Sequence, residues 1–348
     1  MDYTCAGVDA GVQCWGGNLD GQLGDNIETF GSSVPVRVLG ITHGVIALAT
    51  GASHGCAVVD GRVMCWGDGS SGKLGDGPNG TSPVPVQVTG LVSGAQRVVA
   101  GGNHTCALVN GGVWCWGQGQ LGQLGQGSNP RTDSSVPIAV PGLDHGVQAI
   151  AAGDGSSHTC ALVDGGVLCW GQAVYGQVGI TESLPQTTPF AVPGLTHGVQ
   201  AITVNGDHTC ARKDGALVCW GKDFYGELGD NNSGTQTDTP VAVTGLGSDV
   251  QAVSAGDAST CAVVRGGAQC WGLDHDGQLG TGSTVDSHVP VAVSTLGASV
   301  QLIAAGSYHA CVVVDGEMQC WGRNGDGELG NNSTSASLVP VEVTPWAP

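Results

Sequence analysis

Apolar and polar residues along the chain fall into short runs bounded by Gly and Pro, and nowhere do they take the three-to-four-residue spacing of an amphipathic helix. One block shows the order best. Val147-Gln148-Ala149-Ile150-Ala151-Ala152-Gly153 is followed by His158-Thr159-Cys160-Ala161-Leu162-Val163, the turn Asp164-Gly165, and Gly166-Val167-Leu168-Cys169-Trp170-Gly171. Gly176-Gln177-Val178-Gly179, a polar loop and a Pro-containing β-branched run ending at Val192 complete it. Each block predicts about four strands. The same order recurs over residues about 1–44, 45–95, 96–146, 147–198, 199–249, 250–299 and 300–348, a period that signals stacked repeats within one domain, 1–348. Seven units of four strands predict an all-β, seven-bladed propeller. Strands covered on both faces by neighbouring blades should be apolar throughout, as Cys-Ala-Leu-Val and Val-Gln-Ala-Ile nearly are.

The count has one irregularity. The Val-Gln-Ala-Ile strand occurs six times, near Val45, Gln96, Val147, Val199, Val250 and Val300, whereas the cysteine hairpin occurs seven times. The first blade is therefore expected to lack its inner strand, or the native chain to continue upstream of Met1 and past Val343-Thr344-Pro345-Trp346. With no basic and apolar leader before Tyr3, either a signal peptide has been removed or the chain begins inside a longer one.

Composition narrows the function classes. Apolar residues make up 41% of the 348, too many for a disordered chain, and 62 Gly without a three-residue period exclude collagen. A formal charge of -19 from 10 Lys and Arg against 29 Asp and Glu argues against nucleic acid as partner. No uninterrupted apolar run reaches the length of a membrane helix.

Seven Trp residues, Trp15, Trp66, Trp116, Trp170, Trp220, Trp271 and Trp321, each precede Gly. Gly21 to Gly24, Gly122 to Gly125 and Gly277 to Gly280 spell Gly-Gln-Leu-Gly, and Gly-x-x-His-Thr recurs. In these motifs the chain resembles the regulator of chromosome condensation (RCC1) repeat family along essentially its whole length; Kelch repeats of similar length lack Gly-Gln-Leu-Gly. The resemblance implies a seven-bladed propeller. Nuclear members of the family act as exchange factors for the GTPase Ran on chromatin, using basic tails and an inserted wedge, neither of which this chain has. The cysteine pairs are similar instead to those of bacterial exported members and of plant crinkly-type receptor ectodomains. The fold so implied is not a function.

The fourteen cysteines form seven pairs nine positions apart: Cys5/Cys14, Cys56/Cys65, Cys106/Cys115, Cys160/Cys169, Cys210/Cys219, Cys261/Cys270 and Cys311/Cys320. With Asn110-Gly111 at the centre of a type I′ turn, Val109 faces Gly112 and, three pairs further out, Cys106 faces Cys115. Asp60-Gly61, Asp164-Gly165, Asp214-Gly215 and Asp315-Gly316 give the same register. The cysteines then occupy non-hydrogen-bonded sites, where Cα atoms approach to about 4.5 Å, and seven disulfides are predicted. A zinc site is excluded by the spacing, and reduced thiols in a cytosolic propeller are the alternative. Seven bridges imply a secreted, periplasmic or cell-surface protein.

His54, His104, His158, His208 and His309 sit two residues before a first cysteine, with Tyr3 and Ser259 in the other units. Fivefold recurrence predicts a repeated structural hydrogen bond, and the Trp residues predict packing between blades. Asp274-His275-Asp276-Gly277 and Asn324-Gly325-Asp326-Gly327 have a faint likeness to calcium loops without the full ligand series, so turn chemistry is the expectation, and no cofactor. Tyr175, Phe224 and Tyr225 occupy equivalent loops of adjacent units although the chain has only seven Phe and Tyr, which makes them the candidate anchor of a protein-binding surface. The alternative has the Tyr packing under the Gly-x-Leu-Gly turn. The loops Asp25 to Ser33, Gln126 to Ser135 and Asp230 to Asp238 vary most between units, and specificity would reside there. No nucleophile-elbow, P-loop, zinc-protease or dinucleotide motif occurs. These observations point to a monomeric, non-catalytic scaffold for a protein or a glycan. Alternatives are a secreted enzyme inhibitor, as a bacterial β-lactamase inhibitor with a similar propeller would suggest, and a polysaccharide hydrolase or lyase. A cytosolic GTPase exchange factor is disfavoured by charge and cysteines.

Overall fold

The structure is a computed structural model that describes residues 2–344 except 10, 28 and 128–131. Residue 346 and parts of two variable loops named above lie outside the described residues.

Local turn chemistry sets the hairpins. Asn110 (φ 51°) and Gly111 (φ 82°) both take the left-handed backbone of a type I′ turn, as do the four Asp-Gly pairs, and Arg265-Gly266 joins them. The register follows: Val109 pairs Gly112, Leu108 pairs Val113 and Cys106 pairs Cys115. All seven cysteine pairs are bridged: Cys5–Cys14, Cys56–Cys65, Cys106–Cys115, Cys160–Cys169, Cys210–Cys219, Cys261–Cys270 and Cys311–Cys320. Their Cα separation is 4.1 Å in every hairpin, closer than the about 4.5 Å expected of a non-hydrogen-bonded pair.

The described residues form seven antiparallel sheets, six of four strands and one of three. Blade 4 is representative: inner strand Val147–Ala151, second strand His158–Val163, third strand Gly166–Gly171 and outer strand Gln186–Ala191. Blade 1 has Tyr3–Val8, Gly11–Gly17 and Gly31–Arg37, counterparts of the second, third and outer strands. Among the described residues it has no inner strand, in line with the count of motifs. Blades 2 to 7 start at Val45, Ala95, Val147, Val199, Val250 and Val300.

The apolar expectation holds for the second strand and fails for the inner one. His158 to Leu162 are buried without a break, whereas Gln148 is exposed. A bulge between Val147 and Ala149 turns Gln148 outward, and its Oε1 accepts the N–H of Gly165 at 3.1 Å. The inner strands line a central channel, so one side of each has no blade to cover it.

The core is a set of wedges between blades. Cys160, Leu162, Val167, Cys169 and Val192 of blade 4 pack with Val199, Val204, Ala211 and Trp220 of blade 5. Each of the seven Trp rings is fully buried. Its Nε1–H donates to a carbonyl of the preceding blade's Gly-x-Leu-Gly turn, Trp220 to Gln177 at 2.9 Å and Trp15 to Glu328, across the ring closure, at 2.7 Å.

The recurrent histidines complete this ring. Nε2 of each meets the hydroxyl of the Thr in the next blade: His54 with Thr105, His104 with Thr159, His158 with Thr209, His208 with Thr260, and His309 with Thr4, at 2.7–2.8 Å. Thr209 and Thr260 donate their single protons to the turn carbonyls of Gln177 and Glu227 at 2.9 Å. The hydroxyl can then only accept from the imidazole, which assigns the neutral, Nε2-protonated tautomer. Burial holds His54, His158 and His208 at a pKa of about 3 and His104 at about 4, so the rings are uncharged. Where the motif departs, it departs on both sides of the joint. Ser259 stands opposite Ala310, and Tyr3 stands opposite Gly55 and donates instead to the His54 carbonyl at 2.5 Å.

Candidate functional site

Seven near-identical blades leave two faces that differ. Residues just after Trp-Gly bond to the turn between inner and second strands, as in Lys222 N–H to Asp207 and Arg323 N–H to Tyr308, both 2.9 Å. Those turns and the variable loops therefore share one face, the loop face. The disulfide hairpins share the other with the connections between blades, as in Val167 N–H to the Leu195 carbonyl at 2.8 Å.

The bridged cysteines form no part of a surface site. Cys14, Cys65, Cys219, Cys270 and Cys320, like Cys115 and Cys169 at the same place on their third strands, have no solvent exposure. Each of the five packs in the apolar wedge of its own blade, beside Val12, Val63, Leu217, Ala268 and Met318 respectively. The bridges therefore brace the blades, and any partner must be met by other residues.

All three predicted aromatic residues lie on the loop face. Tyr175 of blade 4 and Phe224 of blade 5 meet edge to face with ring centroids 5.7 Å apart. Lys222 Nζ lies 5.5 Å from the Phe224 ring centre and 6.0 Å from that of Tyr175, within cation–π range. Phe224 is 44% exposed and Tyr225, on the same loop, 40%. Tyr225 is held by its backbone N–H, which donates to Glu227 Oε2 at 2.8 Å, and its ring is left half open instead of tucked under the turn. Val174 is exposed beside Tyr175, and Gln236 Nε2 reaches its carbonyl from blade 5 at 3.3 Å, locking the two loops together.

A second apolar group escaped the sequence reading. Leu19, Ile27 and Phe30 of blade 1 are 55%, 53% and 83% exposed. Asn18 gathers them: its N–H donates to the Phe30 carbonyl and its side-chain amide to the Ile27 carbonyl, both at 2.9 Å. The signal was a Phe inside the variable loop Asp25 to Ser33.

The centre of the loop face is acidic and closed over. Blade 4 has a longer connection between its inner and second strands, and its residues Asp154 to Ser157 reach over the channel mouth. Ser307 of blade 7 donates to Asp154 Oδ2 at 3.1 Å, Asn205 of blade 5 donates to Oδ1 at 2.6 Å, and Gly102 N–H of blade 3 donates to the Ser156 carbonyl at 2.9 Å. Beneath lies a cavity of about 540 Å³ lined by Leu48, Val98, Val204, Leu302 and Ile303 among others. Burial raises the pKa of Asp154, Asp207 and Asp257 around the mouth, with Lys222 pulling the last two back down. The sequence signal for this plug was the longer spacing of the fourth unit.

The loops with a faint calcium-site likeness are braced internally. Leu279 N–H donates to Asp274 Oδ1, and Asn324 donates to the Ser333 and Ser335 carbonyls, which is turn chemistry. Among the described residues no three His, Cys, Asp or Glu side chains converge on a metal-sized space, and no helix is long and apolar enough to cross a membrane.

Fold and repeated motif together define a disulfide-bridged, seven-bladed repeat propeller. Residues 3–312 match the RCC1-like domain and residues 300–328 the RCC1 repeat, and the chain belongs to this family. It is 32% identical over 141 residues to the ultraviolet-B receptor UVR8 of Arabidopsis thaliana, a match covering 39% of this chain and 32% of that protein. The aligned part thus spans about a third of its relative's length. Among solved structures, human WBSCR16 superimposes with a TM-score of 0.83 at 23% identity, over 95% of this chain and 94% of that one. Prp20p of Saccharomyces cerevisiae, which binds Gsp1p and histones, superimposes with a TM-score of 0.84 at 21% identity, over 97% and 87%. At these identities the likeness is one of fold.

Proposed function

We propose that this propeller is a non-catalytic binding scaffold of an oxidising compartment, secreted, periplasmic or at the cell surface, that takes a protein partner on its loop face. The observation that carries this reading is the Tyr175–Phe224 pair under Lys222, in which Tyr175 is partly buried while Phe224, with Tyr225 and Val174 beside it, is open to solvent. Large rings that cross a blade boundary and are already fixed in place lose little entropy on binding and offer the buried area of an interface anchor. Seven disulfides support the compartment, because such bridges persist where thiols are not kept reduced. Family support comes from Prp20p, which also takes protein partners. The acidic centre of the loop face favours a partner surface that carries basic residues beside the apolar ones that meet the rings.

The test is affinity, by biolayer interferometry, of each partner captured on the native protein, compared with the triple variant Tyr175→Ala, Phe224→Ala, Tyr225→Ala. A hot spot predicts a loss of tenfold or more, about 1.4 kcal/mol or above, with an unchanged melting temperature. Unchanged affinity for every captured partner sinks the aromatic-patch reading. Cleavage of a glycan by the purified protein would overturn the non-catalytic one.

A further inference from the structure

The loop after Trp-Gly opens on a residue that caps its own turn. A side-chain oxygen of Asn18, Asp223, Asp274 and Asn324 accepts the N–H of the Leu five residues on, at 2.9–3.0 Å. In blades 1 and 7 the residue is Asn, and its amide nitrogen donates outward. Asn18 Nδ2 reaches the Ile27 carbonyl at 2.9 Å. Asn324 Nδ2 reaches the Ser333 carbonyl at 3.0 Å, the Ser335 carbonyl at 2.9 Å and Asn331 Oδ1 at 3.3 Å. In blade 5 the residue is Asp223, 1% exposed, and its second oxygen, Oδ2, has no hydrogen-bond partner among the described residues.

The three loops run alike. Asn26, Asn231 and Asn332 share a left-handed backbone, with φ of 61°, 73° and 59°. Each donates its N–H to a carbonyl of the following blade, that of Pro83, His288 and Ser33 respectively. This register makes the Asn232 carbonyl the counterpart of the Ile27 and Ser333 carbonyls, and Asp230 the counterpart of Asn331. Blade 5 has therefore placed a buried carboxylate oxygen where blades 1 and 7 have an amide donor, with a second carboxylate, Asp230, at the place held by Asp25 in blade 1 and by the neutral Asn331 in blade 7. Asp230 is itself held in place, accepting the N–H and the side-chain amide of Asn232 at 2.9 Å. Burial first, then the charges of Asp230 and Glu227, push the Asp223 carboxyl up to about 7, against a downward pull from His288. A buried carboxylate oxygen with no donor, and a second carboxylate on the same loop, together require positive charge beside them. A proton would satisfy Asp223 alone, whereas a hard divalent cation with oxygen ligands answers both acids and the carbonyl.

We propose that the blade 5 loop, residues 223–234, binds a divalent cation of the calcium class through Asp223 and Asp230 with loop carbonyls and water. In blade 6 Asp274 Oδ2 is likewise unpartnered among the described residues, but the counterpart of Asp230 there is the neutral Thr281, so of these loops blade 5 alone brings two carboxylates together at these two places. An ion there ties the aromatic-bearing turn of residues 224–228 to the variable loop 230–238, so loading stiffens the loop face.

Asp223→Asn is the informative variant, because it restores the amide that blades 1 and 7 use and so folds. Thermal unfolding would be followed at pH about 7.5, in chelator and in about 5 mM calcium, which saturates the roughly 0.1–1 mM affinities usual for extracellular modules. Equilibrium dialysis with calcium alone would count ions. The native protein is expected to gain about 2 °C or more with calcium. Asp223→Asn is expected to melt higher than the native protein in chelator, to bind one ion fewer and to ignore calcium. An unmoved melting temperature in the native protein, or an equal shift in the variant, overturns the proposal. So does a native protein that reaches the variant's stability in chelator merely on acidification to pH about 6, with Asp230, Glu227 and His288 the other titrating groups in the pocket.

Discussion

The joint between blades 4 and 5 gives a pH experiment whose magnitude follows from geometry. His158 is buried and neutral, its pKa lowered to about 3 by burial first and then by His208 and His104, and it donates to Thr209. The double variant His158→Ser, Thr209→Ala copies the natural pair Ser259 and Ala310 between blades 6 and 7. At neutral pH it removes a buried hydrogen bond and some packing, at a cost of about 1–3 kcal/mol. The Gln177 carbonyl keeps its bond from Trp220, so no acceptor is orphaned. On acidification the native protein carries a penalty that the variant lacks. The folded pKa lies below the unfolded value of about 6.5, so the unfolded chain takes up the proton first and stability falls as pH drops from about 6.5 toward 3. At pH about 5 the unfolded histidine has gained about 2 kcal/mol of protonation free energy that the folded ring cannot share. The stability gap between native and variant should thus shrink by about 2 kcal/mol between pH 7.5 and 5. Carboxyls with raised pKa, such as Asp223 and Asp257, act in the opposite direction, but both proteins contain them and they cancel. Denaturant midpoints at the two pH values, without reductant, supply the gap. A gap that stays constant would show that His158 titrates normally in the fold, and the neutral-ring assignment would fail.

Three further outcomes are expected. Unfolded but unreduced protein should take up no alkylating adducts, and reduction should lower the melting temperature, since each hairpin bridge contributes about 2.5 kcal/mol on the chain-entropy estimate; intact mass and calorimetry check both. Trp170→Phe should cost about 1 kcal/mol more than Trp220→Phe in denaturant melts, because the Gln177 carbonyl keeps a Thr209 donor at 2.9 Å whereas the Gln123 carbonyl retains only Thr159 at 3.5 Å. Gly221→Ala should prevent soluble expression or cost about 3 kcal/mol or more, since at φ +111° its Cβ would lie 2.5 Å from the Asp207 carbonyl oxygen. Gly215→Ala, at φ +83° with open space around it, should cost only about 1 kcal/mol.

Blade number, the all-β class, the seven bridges and the three strands of the first blade among the described residues were legible in the chain, because each is written as a local signal repeated many times. An Asn-Gly or Asp-Gly turn fixes a register by counting outward, and Cys106 meets Cys115 with no reference to the rest of the molecule. The structural role of the histidines followed from recurrence, but not their partner: Thr209 is 51 residues from His158 and reaches it only because the blades close into a ring. The inner-strand error has the same origin, since a run such as Val-Gln-Ala-Ile does not say that one of its sides lines a channel. Tyr175, Phe224 and Tyr225 could be picked out as scarce rings at equivalent positions, yet their common face, the edge-to-face contact and the lysine over it are products of packing between blades 4 and 5. The plug at Asp154 joins blades 3, 4, 5 and 7 across the axis. The sequence by itself determined what depends on neighbours along the chain, namely turns, hairpin register and repeat number. Tertiary structure alone decided what depends on ring closure, which brings residues some 50 to 150 positions apart within hydrogen-bond reach.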